Sequence, residues 1–252
     1  MTYCLGILLE DGLVLASDSR SNAGFDQIVE VGKLNLMPPA PDRFVAIQSA
    51  GNLATTQAVI TALCEAFGGG DPAVDIKACR TMFEVARIVG EQLRVAIAHD
   101  GVFVTSFVGP GAGLLVSGQI AGQPPRLFQI YSAGNFVEAT GRAPFLQIGE
   151  TKYGKPILDR ALTGSCTLDE AARLAMLSFD ATIRSNLSVG LPLDVLLYRA
   201  DSFSGARLVT VRSDDPYWIA LREAYGKGLE RLIDSLELPP RSWQPPGVGD
   251  MD

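Results

Sequence analysis

The sequence predicts an α+β fold of antiparallel sheets covered by helices, and three observations predict it. Short apolar runs come in hairpin-linked blocks, the helical patterns fall between those blocks, and neither a Gly-x-Gly-x-x-Gly turn nor a phosphate loop ending in Gly-Lys-Ser/Thr marks a nucleotide-binding parallel sheet. A chain of 252 residues, 47% of them hydrophobic, can bury a full core in one large domain or two small ones.

Residues 2–10 read as a strand, Asp11-Gly12 as a hairpin turn and residues 13–17 as the returning strand. Asp18-Ser19-Arg20 ends that strand, Ser21-Asn22-Ala23-Gly24 reads as a turn, and Lys33 precedes a further strand suggested by Leu34 and Leu36. Residues 44–47, with Pro-rich sequence before them and Ser49-Ala50-Gly51-Asn52 after, read as a buried strand running into a helix. Ile60, Leu63, Cys64 and Phe67 then recur at helical spacing; Gly68-Gly69-Gly70 breaks the pattern, and Met82, Val85, Ala86, Val89 and Leu93 carry a second helix. From 102 to 148 the texture changes to β-rich runs between Gly/Pro turns, among them 114–116, 127–131 and 145–148. Thr167-Leu168-Asp169-Glu170 has the form of a capping box and opens a helix with Leu168, Ala171, Ala172 and Ala175 on one stripe. Strands at 193–198 and 206–211 and a helix over 216–236 complete a domain spanning 1–238, and the Pro-rich stretch 239–252 is expected to be an extended or mobile tail.

Composition narrows the function. The 28 acidic side chains exceed the 21 basic ones, and no Lys/Arg-rich run is present to neutralise phosphates, so neither nucleic acid nor an anionic membrane is an expected partner. Residues 44–64 and 101–125 carry no charged side chain, but polar residues interrupt the first and Gly109-Pro110-Gly111 the second, which excludes them as membrane spans. Cys4, Cys64, Cys79 and Cys166 are scattered, with no CxxC and no secretory signal, as expected of reduced thiols in a cytoplasmic protein; Cys64 and Cys79 fall in helical apolar patterns as small buried hydrophobes. One histidine, His99, excludes a two-histidine zinc site, and its place before Asp100-Gly101 assigns it to a helix C-terminus rather than to catalysis. No metal and no cofactor are expected.

A hydrolase with one histidine needs another base. Residue 2 is threonine, and removal of Met1 would place a hydroxyl nucleophile and a free α-amine on the same residue. That amine titrates near ~7.7–8.0 in model peptides and can take the hydroxyl proton. A buried lysine beside such a nucleophile lowers the hydroxyl's pKa, and a buried aspartate keeps the lysine charged; Asp18 and Lys33 are the candidates. Ser49-Ala50-Gly51 meets a helix start at Asn52, where free N–H groups can stabilise an oxyanion.

Thr2, the run from Leu13 through Asp18 to Arg20, Ser21-Asn22-Ala23-Gly24, Lys33 and Ser49-Ala50-Gly51 resemble the N-terminal half of a proteasome β-subunit. Within that superfamily Met1-Thr2-Tyr3-Cys4, Asp18-Ser19-Arg20 with Asn22-Ala23-Gly24, Phe25-Asp26-Gln27, Ala50-Gly51-Asn52-Leu53-Ala54 and Arg184-Ser185-Asn186-Leu187-Ser188-Val189-Gly190 resemble Anbu, the bacterial proteasome homologue.

The resemblance, which runs over residues 2–211, implies an N-terminal nucleophile hydrolase fold: an αββα sandwich of two antiparallel sheets between helix layers. By position it makes Thr2 the nucleophile and base, Asp18 and Lys33 its electrostatic support, Gly51 the oxyanion donor, and Ser188 the family's second serine. It implies that Arg20 braces the Asp18 turn, that Asn22 and Ser49 line the substrate cleft, and that a peptide adds there as a strand. Where the family has a serine in a glycine-rich turn this chain has Gly149-Glu150-Thr151, and where it has an aspartate near the amine this chain has Ser185, so Glu150 stands as the substitute carboxylate. The implied partners are further copies of the chain, in a ring or an open helical assembly, and a peptide or protein substrate; the sequence is silent on an unfoldase. Three readings follow: a threonine-type hydrolase of peptide or isopeptide amides, an oligomeric scaffold with weak or no catalysis, and an amidase for non-peptide amides.

Overall fold

Strands apolar on both faces must be buried on both faces. In the computed structural model, which describes residues 2–22, 28–101, 109, 111–240 and 243, β1 (Tyr3–Leu9) and β2 (Gly12–Asp18) form a hairpin with Cys4 opposite Ser17 and Leu9 opposite Gly12. Tyr3, Leu5, Ile7, Val14 and Ala16 turn towards one helix layer, while Cys4, Leu13 and Leu15 turn towards a second sheet. The period of two sends alternate residues into different cores.

After the hairpin the chain makes β3 (Arg20–Asn22) and β4 (Ile28–Glu30), which pair with each other, then β5 (Leu34–Leu36) and β6 (Arg43–Gly51). Helix α1 (Leu53–Ala66) follows at once, capped by the Asn52 side chain, which accepts the Thr55 N–H at 3.2 Å. Helix α2 (Met82–Gly101) packs beside it. Then come β7 (Ala112–Ile120), β8 (Arg126–Ile130), β9 (Phe136–Glu138) and β10 (Phe145–Gly149). Next are α3 (Lys155–Ala161), α4 (Leu168–Ser185), β11 (Leu193–Arg199), β12 (Arg207–Val211) and α5 (Pro216–Ser235).

The strands form two five-stranded antiparallel sheets, ordered β10-β1-β2-β11-β12 and β5-β6-β7-β8-β9. Three apolar clusters fill the three spaces of an αββα sandwich. Val45, Ile47, Val116 and Phe128 meet α1 and α2 through Val59, Leu63, Val85 and Val89; Leu5, Ile7 and Val195 meet the other helix layer through Leu158, Ala171, Ala175, Phe179 and Trp218; and Leu13, Leu15, Phe44, Ala46 and Leu127 lie between the sheets. Gln48 spans that middle layer: its Nε2 donates to Leu5 O at 3.2 Å and to Ala16 O at 2.8 Å. The capping box is present as read, with Thr167 Oγ1 accepting the Glu170 N–H and Glu170 Oε2 accepting the Thr167 N–H.

Some sequence expectations shift. Cys79 is buried but lies in the turn before α2 and not in a helix. Strands β3, β4 and β9 and helix α3 add to the sequence reading; β3, β4 and β9 have three residues each, too short for a period to show. The expectations for Ala23-Gly24, for residues 25–27 and 102–108, and for most of the tail fall outside the described residues. His99 sits in the last turn of α2 as expected, exposed and 2.9 Å from Asp100. Among the described residues no helix is long and apolar enough to cross a membrane.

Candidate active site

The start of β1 and the end of β2 place the first charged pair. Asp18 is fully buried and accepts Lys33 Nζ at 2.8 Å on Oδ1, the same oxygen that accepts the Tyr3 N–H at 2.9 Å. Lys33 Nζ also donates to Arg20 O at 2.5 Å, and Lys33 O accepts the Ser49 N–H at 3.0 Å, so this lysine is tied by side chain to one sheet and by backbone to the other. Burial pushes the Asp18 carboxyl up from the usual carboxylate range. The Lys33 ammonium and the Tyr3 and Gly190 N–H groups act against that rise. The pair therefore lies directly under the peptide that joins Thr2 to Tyr3.

On the other edge of β1 stands the end of β10. Tyr3 is opposite Gly149, and the Glu150 N–H donates to Thr2 O at 2.7 Å. Gly149 has φ +85°, and a Cβ there would lie 1.8 Å from Thr2 O. Only glycine allows this approach. Gly149→Ala is therefore expected to push the Thr2 main chain out of register: crystallography would show Thr2 displaced, and melting would show about 2 kcal/mol or more of lost stability.

Gly51 closes β6 with φ +108°, just before the N-terminus of α1. A cleft of about 430 Å³ runs between the sheet ends here, lined among others by Ala50, Gly51, Ala112, Gln147, Gly149 and Thr151. A second cleft of about 280 Å³ is lined by Gly32, Asn35, Ser49, Leu53 and Thr56. Alternation along β6 separates them: Ser49 shares the helix-facing side with Val45 and Ile47, whereas Ala50 shares the inter-sheet side with Phe44 and Ala46.

The turn after α4 supplies the rest. Asn186 Nδ2 donates to Glu150 Oε2 at 2.9 Å, and Asn186 Oδ1 accepts the Ser188 N–H at 2.9 Å. Arg20, two residues after Asp18, reaches this turn: its Nη1 donates to Leu187 O at 3.0 Å and its guanidinium covers Gly190, where a Cβ would meet it at 2.5 Å. The missing side chain at Gly190 makes room for it. Ser185, the last residue of α4, is exposed and joins none of these hydrogen bonds. Asn22 is placed by the backbone in β3, opposite Ile28. Thr2, Asp18, Lys33 and Glu150 thus converge around the start of β1 and Ser188 is tied to Glu150 through Asn186, with Gly51 lining the cleft beside Gly149 and Ser49 one layer away.

Sequence reasoning missed Asn186, although it stood inside a quoted motif. A signal did exist there: an Asn two residues before Ser188 suits a side-chain-to-backbone turn.

Cys4 is a thiol close to this site. It is fully buried, burial pushes its thiol far up, and its Sγ donates to Ser49 O at 3.5 Å. A thiol held protonated is not a nucleophile. Among the described residues no group of acidic, histidine and cysteine side chains could hold a metal ion.

No protein-family model and no curated protein matches the chain. Solved structures do. Anbu (ancestral beta-subunit) from Yersinia bercovieri is 42% identical, with a TM-score of 0.88 over 94% of this chain and 98% of that one. A helical assembly of the Anbu complex from Pseudomonas aeruginosa gives 43% identity and a TM-score of 0.89 over 96% and 100%. A Gly-1 mutant of Anbu from Hyphomicrobium sp. strain MC1 gives 42% and 0.88 over 95% and 100%.

Proposed function

The chain belongs to the Anbu family of proteasome-related proteins, and from that premise we propose that it is a threonine-type N-terminal nucleophile hydrolase cleaving peptide or isopeptide amides through an acyl-enzyme on Thr2. The observation that supports this most is the buried Asp18–Lys33 pair bonded to the N–H that follows Thr2. With Met1 removed, the neutral α-amine takes the Thr2 hydroxyl proton while Oγ bonds to the substrate carbonyl carbon. The oxyanion that forms is met by the Gly51 N–H, and the Lys33 charge stabilises the developing alkoxide. The amide C–N bond then breaks, the ammonium gives its proton to the leaving nitrogen, and an ester on Thr2 remains. Water attacks the ester, gives a proton to the amine, and Thr2 Oγ leaves as a hydroxyl. Ser188 is assigned to the amine side of the site, and Arg20, through the 187–190 turn, with Asn22 and Ser49 to the substrate side.

We further propose that copies of the chain assemble with one another, as the Pseudomonas aeruginosa relative does in its helical assembly, and that the protein works in the cytoplasm. The test of the hydrolase is covalent. A preparation whose intact mass shows Met1 removed should take up one equivalent of a β-lactone, mapped to Thr2 by peptide mass. No adduct, under conditions that label a control proteasome, would sink the reading and leave the oligomeric scaffold in its place.

A further inference from the structure

Resting on that hydrolase reading, we propose that Glu150, held by Asn186, is the positioning carboxylate for the Thr2 α-amine. Three observations carry it.

The first is register. Successive backbone N–H groups of a strand point to opposite edges, and the two members of a hydrogen-bonded antiparallel pair exchange both bonds. The Tyr3 N–H points to Asp18 on the β2 side. The nitrogen of Thr2 therefore faces the β10 side, where the Glu150 N–H already donates to Thr2 O. Glu150 is the residue opposite Thr2, one step beyond the Tyr3–Gly149 pair.

The second is charge. Glu150 is 4% exposed and joins no ion pair among the described residues. Its oxygens take two neutral donors, Asn186 Nδ2 at 2.9 Å and the Lys152 N–H at 3.3 Å. A buried carboxylate so served is under-compensated, and it gains a counter-ion when the amine opposite becomes an ammonium. The other charged groups around Thr2 are accounted for: Asp18 and Lys33 pair with each other on the β2 side, and Arg20 lies over Gly190 on the α4 turn. Lys152, beside Glu150, is exposed and has its ammonium over the Tyr153 ring.

The third is rigidity. Asn186 grips the Glu150 carboxylate with its amide nitrogen and the Ser188 N–H with its oxygen, so one amide fixes both groups relative to β1. Glu150 then holds the amine after it has taken the hydroxyl proton, in the place where Ser185 offers no carboxylate.

Graded-pH acetylation with acetic anhydride tests this on the full chain with Met1 removed, reading the Thr2 amine by peptide mass. The wild-type midpoint should stand about one pH unit or more above that of Glu150→Gln, because an adjacent carboxylate favours the ammonium. Asn186→Ala should shift it the same way by less. A merely structural Glu150 would lower the melting temperature and leave the midpoint in place. Coincident midpoints for wild type and Glu150→Gln overturn the proposal; if Glu150→Gln does not fold, coincidence for Asn186→Ala does so. β-Lactone labelling of the same samples separates the two readings: a shifted midpoint with no adduct removes the hydrolase and leaves Glu150 in its place.

Discussion

Thr2→Ala should abolish β-lactone labelling, by about 10³-fold or more, while the protein still folds. In the proposed mechanism the hydroxyl supplies the bond-forming electron pair. Cys4 is the neighbour that might be feared, and its thiol is buried, protonated and turned to the Ser49 carbonyl. Thr2 is only half-buried, and its hydrogen bond from the Glu150 N–H is made by the main-chain carbonyl, which alanine keeps. The melting free energy should therefore change by less than about 1 kcal/mol. Thr2→Ser retains hydroxyl and amine and should label within about tenfold of wild type. Equal labelling of Thr2→Ala and wild type would move the nucleophile elsewhere.

Lys33→Met should cost both stability and chemistry, and the two can be told apart. Side chains at 6% and 0% exposure make this a buried ion pair. Removing one partner leaves the buried Asp18 carboxyl without its counter-ion, a loss of about 3–5 kcal/mol that should lower the melting temperature by roughly 10 °C. In the double variant Lys33→Met with Asp18→Asn the lone carboxyl is gone, so most of the melting temperature should return. Labelling should not return, because the cation beside Thr2 is still missing. If labelling recovers along with stability, the pair is only a fold element.

Much of this was legible in the chain. Asp11-Gly12 between apolar runs gives the β1–β2 hairpin, and Thr167 with Glu170 gives the start of α4, because each signal is local and acts through the backbone. The Asp18–Lys33 pair was legible as two candidates, not as a geometry. What the sequence hid depends on elements distant in the chain meeting in space. Asn186 matters because its amide meets a carboxylate 36 residues earlier. The partners of Arg20 were hidden for the same reason: nothing local says that its guanidinium crosses to Leu187 and Gly190.

Gln48 has a bearing on how the site is kept in tune. Thr2, Asp18 and Glu150 flank or sit on one sheet, and Gly51 ends a strand of the other, so the gap between Thr2 and Gly51, the proposed nucleophile and oxyanion donor, changes whenever the sheets shear. Gln48 stands three residues before Gly51, and its amide holds the carbonyls of Leu5 and Ala16, close in sequence to Thr2 and Asp18. A slip of about 1 Å, enough to cost roughly 10²-fold in rate, would stretch both bonds at once. The buried Gln48 amide thus acts as a calliper across the interlayer, converting sheet alignment into the spacing between Thr2 and Gly51.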